Sequence, residues 1–211
     1  MADSTELKVA SLLASRLCHD LVGPLGAVGN GLELVAEDGG MAAEALALAQ
    51  RSAKRATSRL QFFRYAFGAA GGDPNFGLAD ARSLANGLLH NGDVTLDWSD
   101  SPAKMNLPTG AGRLLLNLLL LGSECLPRGG RIRVVLAPDR VAVEATGPQA
   151  RFPSELKSVI SGPATSAALT ARTVGAYYAA QLAVGLGGRL DAIDQMPGMV
   201  RLQTAVSTRG T

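Results

Sequence analysis

The chain reads as an α+β protein: a long two-helix hairpin, then a helical layer packed on a mixed sheet. Two observations carry this. Apolar residues recur at alternating spacings of three and four through the first seventy positions, and beyond a Gly-rich break at 68–74 short alternating stretches mix with helical ones.

In the first helix, Ala10, Ala14, Leu17, Leu21, Leu25, Val28, Leu32 and Val35 follow the near-3.5 period of a bundle seam. Turn residues at Glu37-Asp38-Gly39-Gly40 end it. A second stripe runs through Leu46, Ala49, Ala53, Ala56, Leu60, Phe63 and Phe67, completing an antiparallel hairpin. Two apolar seams with little else to cover them predict a homodimer, in which two hairpins form a four-helix bundle.

Gly68-Ala69-Ala70-Gly71-Gly72-Asp73-Pro74 has the composition of a flexible linker. It separates an expected hairpin domain, 1–69, from an expected α/β domain, 76–211. In the second part, helices are expected over 78–89, 109–126 (with Thr109 a candidate cap) and 170–186. Strands are expected over 94–98, 131–136, 141–145, 189–193 and 199–206.

Composition narrows the function. Of the residues, 47% are hydrophobic and 18% charged, which suits a soluble protein with a substantial core. A formal net charge of +2 and 4% aromatics argue against nucleic acid. The longest apolar run, 114–121, is interrupted by Asn117 and is too short to span a bilayer, and the N-terminus carries acids where a signal peptide would be apolar. A cytoplasmic location without membrane attachment is expected. Cys18 and Cys125 sit in apolar helical contexts without metal-ligand spacing and read as packed thiols.

There are two histidines. His90, at a helix end beside Asn91-Gly92, reads as structural. His19 lies about 160–200° around its helix from Leu17 and Leu21, and so faces solvent. Gly23, Gly26 and Asn30 fall within about 40° of it on the same projection. A glycine inside a helix costs about 1 kcal/mol relative to alanine. Two beside an exposed histidine leave a low surface that another backbone can approach. Pro24 removes a helix hydrogen bond and is expected to bend the helix. Asp20 is placed to hold the imidazole tautomer that leaves one nitrogen free, and Arg16 lies one turn earlier. A reactive histidine and a merely solvated one both satisfy these features.

The segment His19-Asp20-Leu21-Val22-Gly23-Pro24-Leu25 resembles the H-box of sensor histidine kinases, usually H-E-L-x-T-P-L. The stretch 114–120 with Gly129-Gly130-Arg131-Ile132 is similar to the N-box region of the kinase ATP-binding domain, and Gly187-Gly188-Arg189-Leu190 resembles its closing sequence. The C-terminal part thus resembles the α/β sandwich of that domain. The kinase pattern breaks at two places: Leu121 stands where a second N-box asparagine would hold magnesium, and Ala145 where an aspartate would read adenine. Neither side chain can do that work. A phosphoryl-accepting histidine beside a degenerate ATP-type domain resembles the ChpT family of bacterial histidine phosphotransferases. Residues 15–20 and 62–68 look especially like it.

The resemblance implies a phosphorelay intermediate. His19 would take a phosphoryl group from the receiver domain of a hybrid kinase and pass it to the receiver of a response regulator. Asp20 would orient the ring, and Arg16 would help neutralise the phosphoryl oxygens. Magnesium would belong to the receiver, and this chain would bind no cofactor or metal. Kinases with phosphatase activity usually carry threonine or asparagine where Gly23 stands, so weak phosphatase activity is expected. Val22, Gly23 and Gly26 would meet the receiver. Arg51 and Lys54, on a helix with no acid after Glu44, would steer its acidic surface, although a solvated basic face explains them too. An active kinase and a silent dimeric scaffold are the competing readings.

Overall fold

A computed structural model describes residues 2–37, 41–89, 92–99, 107–161 and 168–207. Helix α1 (Ala2–Glu37) and helix α2 (Ala42–Ala66) form the hairpin. Pro24 lies inside α1, which continues through it as one helix. The two helices close most tightly at Gly31, where an added Cβ would lie 2.9 Å from the Ala45 carbonyl oxygen and 3.0 Å from the Ala49 Cβ. The turn expected at 37–40 falls mostly outside the described residues, as do His90 and Asn91.

Each apolar stripe proves to be two interleaved ones. On α2, Ala49, Ala56 and Phe63 are buried against the rest of the chain, while Leu46, Ala53 and Leu60, seven apart, face outward. On α1, Leu17, Leu21, Val28 and Val35 are half-buried, whereas Ala14, Leu25 and Leu32 are exposed. The single chain therefore leaves one seam of the hairpin uncovered.

After α2 the chain does not hang free. Residues Ala69–Gly72 make a 3₁₀ turn, and Gly71 is buried where any Cβ would collide with the Tyr65 carbonyl. The expected flexible linker is instead a packed corner, because its glycines permit close backbone contact as readily as freedom. Tyr65 stacks on Phe76 across it, with ring centroids 4.6 Å apart.

The remainder comprises α3 (Leu78–Leu89), β1 (Val94–Asp97), α4 (Ala111–Glu124), β2 (Gly130–Ala137), β3 (Arg140–Thr146), α5 (Ser154–Ile160), α6 (Val174–Gly185), β4 (Asp191–Met196) and β5 (Met199–Ala205). The sheet order is β1-β2-β3-β5-β4, with β1 parallel to β2 and the other pairs antiparallel. Strand alternation sends Ile132, Val134, Val141, Val143, Ala145, Val200 and Leu202 into the core. The opposite face carries charge pairs such as Arg201–Glu144 at 3.1 Å and Arg131–Asp97 at 2.6 Å.

Helix α4 is buried nearly all round. Leu114, Leu115, Leu116, Leu118, Leu119 and Leu121 are each at most 1% exposed, and a fully buried leucine contributes about 1.5–3 kcal/mol. Its amino end is held by Gly110 at φ +92°, a left-handed conformation suited to glycine, so Thr109 is not the cap. Helix α5 is an element that the apolar pattern left unassigned. Phe62, Phe63 and Ala66 at the end of α2 join the core of the sheet domain, fastening the hairpin to it.

Candidate functional site

His19 sits midway along α1 with 88% of its side chain exposed. Its Nδ1 lies 3.2 Å from Asp20 Oδ1. With Nδ1–H donating to the carboxylate, Nε2 keeps its lone pair and points away from that contact. Asp20 is itself anchored, since Arg59 Nη1 on α2 donates to its backbone carbonyl at 3.4 Å.

The surface beyond the ring is low, as the glycines suggested. A Cβ added at Gly23 or Gly26 would meet nothing within 4 Å. Val22 is exposed to 68%. These three residues thus lie on open helix surface one to two turns after the histidine.

Arg16 is placed differently from the expectation. Its guanidinium donates to Glu124 Oε1 at the carboxyl end of α4 and lies against Gly175 at the start of α6. It is an ion-paired side chain, 15% exposed, and not a free ligand awaiting phosphoryl oxygens. Burial pushes the Glu124 carboxyl up from its ordinary value, and the Arg16 charge and hydrogen bond work against that rise. Next to it, burial drives the Cys125 thiol up to about 12, so at neutral pH it is a protonated, unreactive core residue. Cys18, by contrast, is exposed on α1.

A groove of about 770 Å³ runs beside His19. One wall is α1, through Ser15, Arg16, His19 and Asp20; the other comes from the sheet domain, through Glu124, Pro153, Glu155, Leu156, Ala171 and Arg172. Arg172 and Glu155 pair across 2.7 Å on that wall. The sequence reading missed this second wall. A signal for α5 existed: Pro153-Ser154-Glu155 ahead of Leu156, Val159 and Ile160 is a helix start followed by helical apolar spacing. Nothing in the sequence placed it opposite His19.

Arg51 and Lys54 are exposed on α2 but line a different groove, of about 620 Å³, with Leu48, Arg55, Asn86 and Gly87. They are not part of the surface that holds the imidazole.

The positions that resemble the kinase nucleotide site are filled by packing. Leu121 is 1% and Ala145 0% exposed. Asn117, 2% exposed, spends its amide on two backbone carbonyls, donating to Ala66 and Arg113 at 2.9 Å each. These residues do not fit a nucleotide with its magnesium.

The fold and site together set an accessible imidazole on a helical hairpin backed by an α/β domain. Residues 78–195 match the family model described as the histidine phosphotransferase C-terminal domain. The chain is 38% identical over 189 residues to the protein phosphotransferase ChpT of Brucella abortus (strain 2308), covering 87% of this chain and 89% of that protein. Its structure matches that of a bacterial phosphotransferase with a TM-score of 0.80 and 34% identity, covering 94% of this chain and 96% of the other. The chain belongs to the histidine phosphotransferase family, and its activity is phosphoryl transfer in a phosphorelay. No helix among the described residues is long and apolar enough to cross a membrane.

Proposed function

We propose that His19 is the phosphoryl carrier, taking the group from the phosphoaspartate of one receiver domain and delivering it to the aspartate of another. The observation that carries this reading is an almost fully exposed imidazole with Asp20 on its Nδ1 and an open groove beside it. Neutral Nε2 attacks phosphorus in line. The Nε2–P bond forms as the P–O bond to the aspartyl carboxylate breaks, and the carboxylate leaves. Nδ1 keeps its proton, and Asp20 stabilises the positive charge that develops on the ring. Delivery to the second receiver reverses these steps.

The donor is the receiver of a hybrid kinase and the acceptor that of a response regulator, each supplying its own magnesium. This chain contributes neither metal nor nucleotide. Val22, Gly23 and Gly26 meet the receiver's backbone, and the wall bearing Arg172 meets its side. Arg51 and Lys54, on α2 outside the imidazole groove, act at longer range by steering an acidic partner. Two chains pair through the uncovered seam to form a four-helix bundle, and the assembly works in the cytoplasm.

The test is incubation with a phosphorylated receiver. The wild-type chain is expected to gain acid-labile phosphate on His19 and to pass it to a second receiver, and His19→Ala is expected to do neither. A His19→Ala protein that still relays phosphate overturns the assignment.

A further inference from the structure

Arg16 is one turn before His19, yet its guanidinium is spent on the sheet domain. It is held by Glu124, the last residue of α4, and passes beside Gly175, the second residue of α6. A Cβ added at Gly175 would lie 2.6 Å from Arg16 Nη1 and 3.3 Å from Cζ, so glycine there leaves the space the guanidinium occupies. Three elements therefore meet at one planar cation, a residue that itself lines the groove beside the imidazole.

Largely buried ion pairs are weak sources of stability, because the charges must be desolvated. What such a pair does supply is geometry. A guanidinium donates in fixed directions and so ties its partners at a set distance and angle. This tie sets how far the α1 wall of the groove stands from the wall carrying Leu156, Ala171 and Arg172. A receiver that must touch both walls at once needs that spacing held before it arrives.

We infer that Glu124 and Gly175 are positioning residues for phosphotransfer: by seating Arg16 they fix the width and angle of the receiver groove beside His19. The inference rests on the reading that His19 carries the phosphoryl group.

The experiment measures transfer from a phosphorylated receiver at varied receiver concentration, using the full chain. Arg16→Ala, Glu124→Gln and Gly175→Ala are each expected to raise KM about tenfold while the saturating rate stays within about threefold of wild type. Gly175→Ala removes neither charge, so it decides the matter even where Glu124→Gln unfolds the chain. Because all three act through one side chain, Glu124→Gln or Gly175→Ala added to Arg16→Ala is expected to cause no further rise. Wild-type KM in Gly175→Ala, a fall in saturating rate alone, or additive effects in the double variants overturns the inference. His19→Ala, run alongside, separates the two ideas: a phosphorylated His19→Ala chain sinks the carrier reading, whereas an inert one beside a wild-type-like Gly175→Ala sinks only the positioning role.

Discussion

The Asn117 side-chain amide donates to the Ala66 carbonyl at 2.9 Å, joining residues 51 apart in sequence. A buried asparagine of α4 thus receives the carboxyl end of α2. Arg113 donates to the next carbonyl, that of Phe67, at 3.0 Å, and Tyr178 stands beside it. Helix ends leave carbonyls without partners, and here the sheet domain supplies them.

Asn117→Ala should therefore act on stability. Removing the donor strips the buried Ala66 carbonyl of its best partner, and the expected loss is about 1–3 kcal/mol in urea unfolding. Binding of magnesium–ATP, followed by nucleotide fluorescence, should be undetectable in both the wild-type and variant chains. A variant of unchanged stability, or a saturable nucleotide signal in the wild type, contradicts this account of the residue.

The outward seam predicts an oligomeric effect. Leu25, Leu32 and Leu60 are 56%, 53% and 58% exposed in the single chain, too much apolar surface in one stripe to leave in water. Leu32→Glu and Leu60→Glu are expected to convert a dimer to a monomer in light scattering at micromolar concentration. A wild-type chain that is already monomeric there shows that the seam is not an interface between copies.

Gly23 offers a gain-of-function test. An added Cβ meets no atom within 4 Å, so Gly23→Asn should fold and gain a few tenths of a kcal/mol of helix stability. The new amide stands one turn after His19, where it can orient a water toward a docked phosphoaspartate. Phosphorylated receiver should then lose inorganic phosphate several-fold faster than with the wild-type chain. Equal hydrolysis by both chains tells against the glycine as the reason phosphate is passed on and not lost.

Arg51 and Lys54 lie outside the imidazole groove, so their effect must travel through the field. Reversing both charges should slow transfer clearly at low salt and by much less at high salt, where the screening length falls from about 30 Å at 0.01 M to about 8 Å at 0.15 M. A slowing independent of salt points to direct contact, and no slowing identifies an ordinary solvated face.

Several features were legible in the chain because they depend on near neighbours. The exposure of His19, its contact with Asp20 and the open surface at Gly23 and Gly26 all follow from helical spacing, which a single sequence states directly. The strands of the sheet announced themselves by alternation for the same reason. Local rules went astray where a residue serves two masters. The 68–74 stretch has a linker's composition but packs as a corner, and the capping site of α4 belongs to Gly110 because the backbone there enters with a positive φ.

Helical period alone gives the outward imidazole, its carboxylate neighbour and one apolar stripe on each helix; the division of each stripe into a buried and an exposed row belongs to the fold. Packing in three dimensions is what gives Arg16 to Glu124, sets Asn117 against the end of α2, and makes α5 and the turn before α6 the far wall of the groove. Distance along the chain explains the difference. Arg16 and Glu124 are 108 residues apart, and their meeting is set by how the core around α4 packs, which no local period encodes.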